Sequence, residues 1–259
     1  MLIDSHCHLD RLDLKSYDGD LNKAIQAAFD AGVSHMLCVG IDLESFAAVQ
    51  QLAESYPQIF ASVGVHPLYE QSQAPTVEAL VQLADHEKVV AIGETGLDYH
   101  YGKGDLSWQR DYFRTHLQAA RQVGKPVIIH SRSAKEDTLK ILREESAEES
   151  AGVLHCFTED LDMAEQAVEM GFYISFSGII TFNNAQALRE IVKALPIERM
   201  LIETDSPYLA PVPYRGKSNE PKYLAKVAEC VAELKQISLD EVKAVTSQNF
   251  FALFARAKV

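Results

Sequence analysis

The feature that most restricts the fold of this chain is a regular alternation of short apolar runs with amphipathic helical segments. Each run has the length and apolar content of one buried strand, and apolar residues recur at helical spacing in the segment that follows it. The predicted strands span residues 2–8, 35–40, 59–65, 89–93, 126–129, 152–154, 172–176 and 200–202. The predicted helices span residues 20–31, 44–56, 75–85, 107–123, 135–150, 160–170, 183–195, 222–236 and 238–258.

Eight strand-and-helix units within 259 residues favour an α/β fold, a parallel (β/α)8 TIM barrel, over an open, doubly wound sheet. Ser107 is predicted to cap the N-terminus of the fourth helix, and Gly124 to follow its end. The charged segment 135–150 is predicted to be a solvated helix with an exposed acidic tail. Because no linker or short repeat interrupts the pattern, residues 1–259 are predicted to form a single domain.

Metal-binding residue types occur at the carboxyl ends of these predicted strands. Their positions are His6, His8, Glu94, His130, His155 and Asp205. Since the carboxyl ends of barrel strands converge on one mouth, where active sites form, these side chains are expected to meet there. Each one alone has an ordinary explanation, such as a core histidine bonded to a carbonyl group or a carboxylate at a helix N-terminus. Their shared position favours a divalent metal site instead.

The number of candidate ligands points to more than one ion. Six protein ligands exceed the three that a catalytic zinc ion usually takes. Two ions that share a carboxylate divide the set more sensibly, and Glu94, which has two oxygens, is the natural bridge. Two ions about 3.5–4 Å apart would activate a water molecule and hold the attacking and leaving oxygens of a hydrolysis.

The charge and the cysteine content restrict the function and the compartment. A formal net charge of −13 argues against a broad basic surface for duplex DNA, although bound cations can still attract a phosphate substrate. The four cysteines are scattered, as is typical of reduced thiols. Cys7 and Cys156 each adjoin a histidine ligand, and strand alternation is expected to turn both away from the mouth. With neither a signal peptide nor a membrane-spanning apolar run in the sequence, a cytoplasmic location is expected.

Five segments of the chain resemble those of one known family. Residues 2–10 (LIDSHCHLD), 126–136 (PVIIHSRSAKE) and 200–207 (MLIETDSP) resemble the three signatures of the TatD family of metal-dependent hydrolases. Residues 64–67 (GVHP) and 93–98 (GETGLD) are similar to further segments of that family. The resemblance runs from Leu2 to the C-terminus.

The resemblance implies a TIM barrel of the amidohydrolase superfamily with two divalent cations. It also implies phosphodiesterase activity on DNA, typically as a 3′→5′ exonuclease. By match to the motifs, one ion would be held by His6, His8, Glu94 and Asp205, and the other by Glu94, His130 and His155. The metal stays open, because imidazole ligands suit Zn²⁺ or Mn²⁺ whereas nuclease chemistry on phosphate often uses Mg²⁺.

Further residues near the predicted mouth are expected to act in catalysis. Asp205 would orient or deprotonate the attacking water at the metal edge. Glu203, two residues earlier on the same strand face, would bond to a histidine ligand; the alternative is a buried carboxylate paired with Arg132 or a lysine. His66 would donate to a phosphate oxygen or protonate the leaving group; the alternative is a structural histidine held in its turn.

Other residues are expected to bind the substrate itself. Arg132, two residues after His130 on the same face, is placed for a bidentate phosphate contact. Tyr99, with the neighbouring His100 and Tyr101, would stack a splayed base or form an ordinary aromatic lid. Four residues of the loop 206–221 would bind the substrate backbone: Arg215 together with Tyr208, Lys217 and Asn219. The alternative is that these side chains are merely solvated.

DNA, in particular a single-stranded end, is the expected substrate, and neither a membrane nor an obligate protein partner is indicated. One alternative is another hydrolase on the same scaffold, such as a small-molecule amidohydrolase or a D-aminoacyl-tRNA deacylase. Many relatives in that superfamily bridge their metals with a carboxylated lysine, so Glu94 at the end of strand four favours the TatD-like branch. A non-catalytic metal-storing protein is disfavoured by the open mouth loops and by Arg132.

Overall fold

Eight parallel strands follow one another around a barrel in chain order in the computed structural model, which describes residues 1–257. The strands are Leu2–Cys7 (β1), Val33–Val39 (β2), Ile59–Val63 (β3), Val89–Asp98 (β4), Val127–Arg132 (β5), Gly152–Leu154 (β6), Tyr173–Phe176 (β7) and Met200–Ile202 (β8). Each strand pairs in parallel with the next. Because this order never reverses, the sheet lacks the switch point of a doubly wound fold, and the predicted barrel is confirmed.

The two edge strands, β1 and β8, meet at the mouth of the barrel. The backbone N–H of Asp205 donates to the carbonyl of His6 (2.9 Å), and the N–H of His8 donates to the carbonyl of Ser206 (2.8 Å). Deeper in the barrel, the hydroxyl of Ser5 donates to the carbonyl of Ile202 (3.0 Å). These bonds nearly close the barrel and hold the segment after β8 against two of the candidate ligands.

Helices separate the strands, and two further helices follow β8. They are Leu21–Asp30 (α1), Phe46–Ser55 (α2), Val77–Ala84 (α3), Ser107–Val123 (α4), Lys135–Glu144 (α5), Leu161–Glu169 (α6), Gln186–Ala194 (α7), Leu224–Lys235 (α8) and Leu239–Leu253 (α9). Side-chain oxygens of Asp20, Thr76, Asp160 and Ser238 cap α1, α3, α6 and α9. Within residues 1–257, no helix is both long and apolar enough to cross a membrane.

The last helix, α9, covers the end of the barrel opposite the mouth. Phe250 of α9 and Phe254, which directly follows the helix, form a buried cluster with residues such as Ile3, Phe60 and Val90. Each of those three is the second residue of its strand, so the cluster lies at the N-terminal ends of the strands. The barrel is therefore filled from below by apolar side chains, which leaves the carboxyl ends free for polar groups.

Two of the predicted boundaries are wrong for reasons of pairing and local backbone. Strand β4 continues past Gly93, because residues 95–98 stay paired with residues 129–132 of β5, so Glu94 lies inside a strand. Helix α5 ends at Glu144, where the predicted helix continued to residue 150. Ser146 adopts a left-handed backbone (φ 48°), and a short 3₁₀ turn follows at Ala147–Glu149.

The predictions at two helix ends also differ from the structure. Ser107 is the first residue of α4 and not its cap; its N–H (2.9 Å) and its hydroxyl (3.0 Å) both donate to the carboxylate of Asp105. Gly124 follows the end of α4 as predicted, with φ 62°. The helix predicted over 238–258 ends at Leu253, and residue 258 lies outside the described residues.

Phe113 provides a test of how α4 packs on the barrel, because its side chain is fully buried in the main apolar core. Phe113→Ala should lower the free energy of unfolding by about 3–5 kcal/mol, since both burial and packing are lost. Urea unfolding followed by circular dichroism measures this change. Gln118→Ala, at an exposed position of the same helix, should change it by less than about 0.5 kcal/mol, and equal losses in both variants would contradict the packing.

Candidate metal centre

Glu94 lies at the centre of the mouth, and its two carboxylate oxygens face different histidines. Oε2 lies 3.3 Å from Nε2 of His6 and 3.9 Å from Nε2 of His8. Oε1 lies 2.7 Å from Nε2 of His155 and 3.2 Å from Nδ1 of His130. The structure thus brings the predicted ligands together in two groups, one on each side of a single carboxylate.

Asp205 completes the first group from the segment that follows β8. Its Oδ1 lies 3.7 Å from Nε2 of His6 and 3.5 Å from Nε2 of His8. The backbone of Asp205 is left-handed (φ 55°), and its N–H is bonded to the His6 carbonyl. The side chain is 13% exposed, so one edge of it reaches the open mouth.

The hydrogen bonds around the histidines leave nitrogen lone pairs directed into the centre. Nδ1 of His8 lies 3.1 Å from the carbonyl of Val39 and donates to it, and Nδ1 of His155 lies 3.3 Å from Oε1 of Glu203. In both rings Nε2 is therefore the free ligand atom. The Nε2 of His155 has no hydrogen-bond partner of good geometry, although it is buried beside Glu94.

This arrangement fits divalent cations. Nε2 of His6 and Nε2 of His8 are only 3.3 Å apart, a separation at which two lone pairs repel unless a cation or a proton lies between them. Ligand atoms bound to one ion at about 2.0–2.2 Å lie roughly 3 Å apart. A mixture of imidazole and carboxylate ligands suits a borderline to hard divalent ion.

The two carboxylates of the centre are held in their ionised forms. Burial acts to raise the pKa of Glu94, but the surrounding histidines, His155 foremost, outweigh it and hold that pKa well below its usual value. Burial also acts to raise the pKa of Asp205, and here the neighbouring histidines, His8 first, outweigh it, so the pKa is again lowered. Ionised carboxylates are what a divalent cation requires of its ligands.

His66 lies next to the centre but presents a proton and not a lone pair. Its Nε2 is 3.4 Å from Oε1 of Glu94, close enough that His66, Glu94 and His130 form a possible ligand group by distance alone. However, Nδ1 of His66 accepts the backbone N–H of Leu68 (3.1 Å), so Nε2 carries the hydrogen. Burial lowers the pKa of His66 to about 3, so the ring is a neutral hydrogen-bond donor and not an acid in the imidazolium form.

Two local features help to position the candidate ligands: an irregularity in the pairing of β1 near His6, and a glycine, Gly96, beside His130. The pairing of β1 with β2 is irregular between Asp4 and Cys7, and beyond it Cys7 packs in the apolar core between strand and helix, as predicted. Gly96 has φ +134°, and a Cβ there would clash with the carbonyl oxygen of His130. A side chain at this position would push His130 away from Glu94.

A cavity of about 310 Å³ opens over the centre. Arg132 lines it, as predicted, and its guanidinium lies 5.0 Å from the ring centre of Tyr101. Tyr69, Tyr101 and Tyr208 also line it, and all three are more than a third exposed. The mouth therefore carries three accessible aromatic rings and, among the described residues that line the cavity, a single arginine and no lysine.

Cys156, Tyr99 and Arg215 are among the residues that are not where the sequence placed them. Cys156 lines the cavity, because its backbone is left-handed (φ 41°) and strand alternation no longer applies; its Sγ lies 3.1 Å from the hydroxyl of Ser177. Tyr99 lies outside the cavity lining, since its hydroxyl donates to Asp137 (2.6 Å) on α5. Arg215 also lies outside the lining, stacked on the ring of Phe182 at 4.4 Å.

Sequence reasoning missed Asp98 and the residues of α4 that support the centre. Asp98 is 1% exposed, and its Oδ2 lies 3.1 Å from Nε2 of His130. The signal was available, because Asp98 is four residues after Glu94 in a strand and so faces the same side. From α4, Gln109 donates to the carbonyl of Pro67 (2.6 Å) and accepts the N–H of Asp98 (3.0 Å).

Comparison with known proteins identifies the family of the chain. A family model described as TatD related DNase matches residues 3–255. The metal-dependent hydrolase YcfH of Escherichia coli K12 is 47% identical over 253 residues, which cover 98% of this chain and 95% of YcfH. YabD of Bacillus subtilis is 42% identical over 255 residues, with 98% and 99% covered. The crystal structure of YjjV, a TatD homologue from Escherichia coli K12, superposes with a TM-score of 0.89 at 32% identity over 98% of each chain.

The barrel and its cluster of histidines and carboxylates define the class of protein as a metal-dependent hydrolase. The family model and the curated relatives extend over almost the whole length of the chain. The chain belongs to the TatD family of metal-dependent hydrolases, and the resemblance seen in its motifs is confirmed.

His116 of α4 gives a prediction for the pH dependence of stability. Its Nε2 accepts the N–H of Val65 (3.0 Å), which requires a neutral ring, and burial lowers its pKa to about 4. Since the folded-state pKa is below the unfolded value of 6.5, this contribution is present above pH 6.5 and is lost as the pH falls towards 4. We expect the wild type to lose roughly 2–3 kcal/mol more than His116→Gln over that range.

Urea unfolding at several pH values in the presence of a chelator measures this difference. The variant keeps an acceptor for the Val65 N–H but has no titratable group there, so it is a matched reference for the wild type. Parallel pH profiles for the two proteins would contradict the assignment of a neutral, buried His116.

Proposed function

We propose that this protein binds two divalent cations at the mouth and hydrolyses phosphodiester bonds of DNA, removing nucleotides from a 3′ end. The observation that carries the proposal is the division of Glu94, whose Oε2 faces His6 and His8 while its Oε1 faces His130 and His155. A carboxylate shared in this way suits a pair of ions better than one. The imidazole-rich ligands favour Zn²⁺ or Mn²⁺, and Mg²⁺ is the further candidate.

When bound, the cations would lower the pKa of a water molecule and neutralise charge on the scissile phosphate. Asp205 directs only Oδ1 at the histidine pair, and its partly exposed edge would orient the attacking water and accept its proton. Glu203, bonded to Nδ1 of His155, would hold that ring with Nε2 facing the centre. The low pKa of His66 keeps its ring neutral, and a neutral imidazole is too weak an acid to protonate a leaving group. His66 would instead donate a hydrogen bond from its Nε2–H to a nonbridging phosphate oxygen.

The lining of the cavity supports a nucleic-acid end as the substrate. Arg132 would bind one phosphate in a bidentate manner. Tyr69, Tyr101 and Tyr208 present exposed rings on which unpaired bases would stack; of the neighbouring tyrosines Tyr99 and Tyr101, only Tyr101 lines the cavity. A single arginine, with no lysine, in the described lining suits a terminal nucleotide better than a long stretch of backbone. The family that matches the chain is described as TatD related DNase, which supports the same class of substrate.

Incubation with single-stranded DNA labelled at its 3′ or 5′ end, under Mg²⁺, Mn²⁺ and Zn²⁺ separately, tests the proposal. We expect mononucleotides to be released progressively from the 3′ end with at least one metal. Intact DNA under all three metals would contradict the nuclease proposal. Hydrolysis of an aminoacyl ester on tRNA or of a small amide in the same preparation would favour the alternative hydrolases.

Isosteric variants of the two carboxylates test the assignment of the centre. Glu94→Gln should abolish DNA hydrolysis, because an amide has one acceptor oxygen and cannot bridge two cations. Asp205→Asn should slow it by about 10²–10⁴-fold through loss of the proton acceptor. Glu78→Gln, an exposed residue of α3, is the matched control and should keep wild-type rates. Near-wild-type rates in folded, metal-loaded Glu94→Gln would disprove the ligand assignment.

A further inference from the structure

The His130 ring lies between two carboxylates, one on each of its nitrogens. Nδ1 lies 3.2 Å from Oε1 of Glu94, and Nε2 lies 3.1 Å from Oδ2 of Asp98. In this respect His130 differs from His8 and His155, which direct Nε2 into the centre and bond through Nδ1. The orientation of His130 is therefore reversed relative to these two candidate ligands.

Asp98 is fixed so firmly that its carboxylate has one orientation. Oδ1 accepts the backbone N–H groups of His100 (3.0 Å) and Tyr101 (2.7 Å), which leaves Oδ2 for His130. The N–H of Asp98 donates to Oε1 of Gln109 (3.0 Å), and Gln109 is fully buried. Because the side chain of Asp98 is 1% exposed, water does not compete for Oδ2.

We propose that Asp98 is a positioning residue that fixes the tautomer and the ring orientation of His130. An ionised carboxylate only accepts hydrogen bonds, so Nε2 of His130 must carry the hydrogen and Nδ1 must carry the lone pair. Asp98 thereby makes Nδ1 the metal ligand on this side of Glu94. The inference rests on the proposed function only in taking His130 as a ligand of a second ion.

Gln109 connects this device to the other side of the cavity. The same amide group that accepts the Asp98 N–H donates to the carbonyls of Pro67 (2.6 Å) and Asp98 (3.3 Å). Pro67 directly follows His66, and Asp98 bonds to His130. The buried side chain of Gln109 therefore fixes the position of both segments relative to α4. Its loss would disturb both residues together.

Asp98→Asn separates positioning from a purely structural role. The amide oxygen can still accept the N–H groups of His100 and Tyr101, so the turn is preserved. The amide nitrogen, however, now donates towards Nε2 of His130 and favours the opposite tautomer, in which Nδ1 carries the hydrogen. Asp111→Asn, an exposed residue of α4, is the matched control.

Two measurements on Asp98→Asn, both without nucleic acid, test the proposal. In Zn²⁺ titration calorimetry we expect one of the two ions to bind about 10–100-fold more weakly, while the other binds as in the wild type. In ¹⁵N NMR of the metal-free proteins, Nε2 of His130 should be protonated in the wild type and unprotonated in the variant. The control should match the wild type in both measurements.

Unchanged Zn²⁺ affinities together with a protonated Nε2 in Asp98→Asn would overturn the proposal. Equal weakening of both ions, accompanied by a lower melting temperature, would also overturn it, because that is the effect of a structural role. If Asp98→Asn does not fold, Asp98→Ser replaces it, because its hydroxyl can still accept an N–H of the turn but does not reach His130, and weakening must again be confined to one ion. A protein that passes these tests but leaves DNA intact would refute the proposed function and not this inference.

Discussion

The structure depends on one buried negative charge, the carboxylate of Glu94. A carboxylate that is 2% exposed is costly to bury unless charges and hydrogen bonds compensate it, and four histidines within 3.4 Å of its two oxygens provide that compensation here. The barrel makes this possible by bringing side chains from five strands or strand ends to one point. The carboxylate and the imidazoles therefore stabilise each other, because neither would be stable there alone.

Hydrogen bonds from the surrounding residues fix the proton position in four of the histidine rings around the centre. Val39, Glu203 and Asp98 each bond to one nitrogen of a histidine and leave the other directed at Glu94. His66 is arranged in the opposite way. Its Nδ1 accepts the N–H of Leu68, so its Nε2 carries the hydrogen and faces the centre as a donor. Three rings are thus prepared to bind a cation and one to donate a hydrogen bond.

Sequence reasoning worked best where chain-local rules apply. The alternation of apolar runs and helices predicted the barrel, and the strand-end positions of the histidines and carboxylates predicted their meeting. It failed where pairing or backbone conformation overrides the local pattern. The ladder with β5 extended β4 past Glu94, and a left-handed residue turned Cys156 into the cavity. Tyr99 lies outside the cavity because its hydroxyl donates to Asp137 of α5, a contact that no local pattern in the sequence predicts.

The sequence by itself determined the fold class, the family and the set of candidate ligand residues, because strand periodicity and motif spacing are properties of the chain. Only the tertiary structure decided which oxygen of Glu94 faces which histidine, which nitrogen of each ring is free, and which tyrosines line the mouth. Those features depend on contacts between residues far apart in the chain, such as Asp98 with His130 and Gln109 with Pro67. Hydrogen-bond direction and ring orientation are set by such contacts, and these exist only once the barrel has closed.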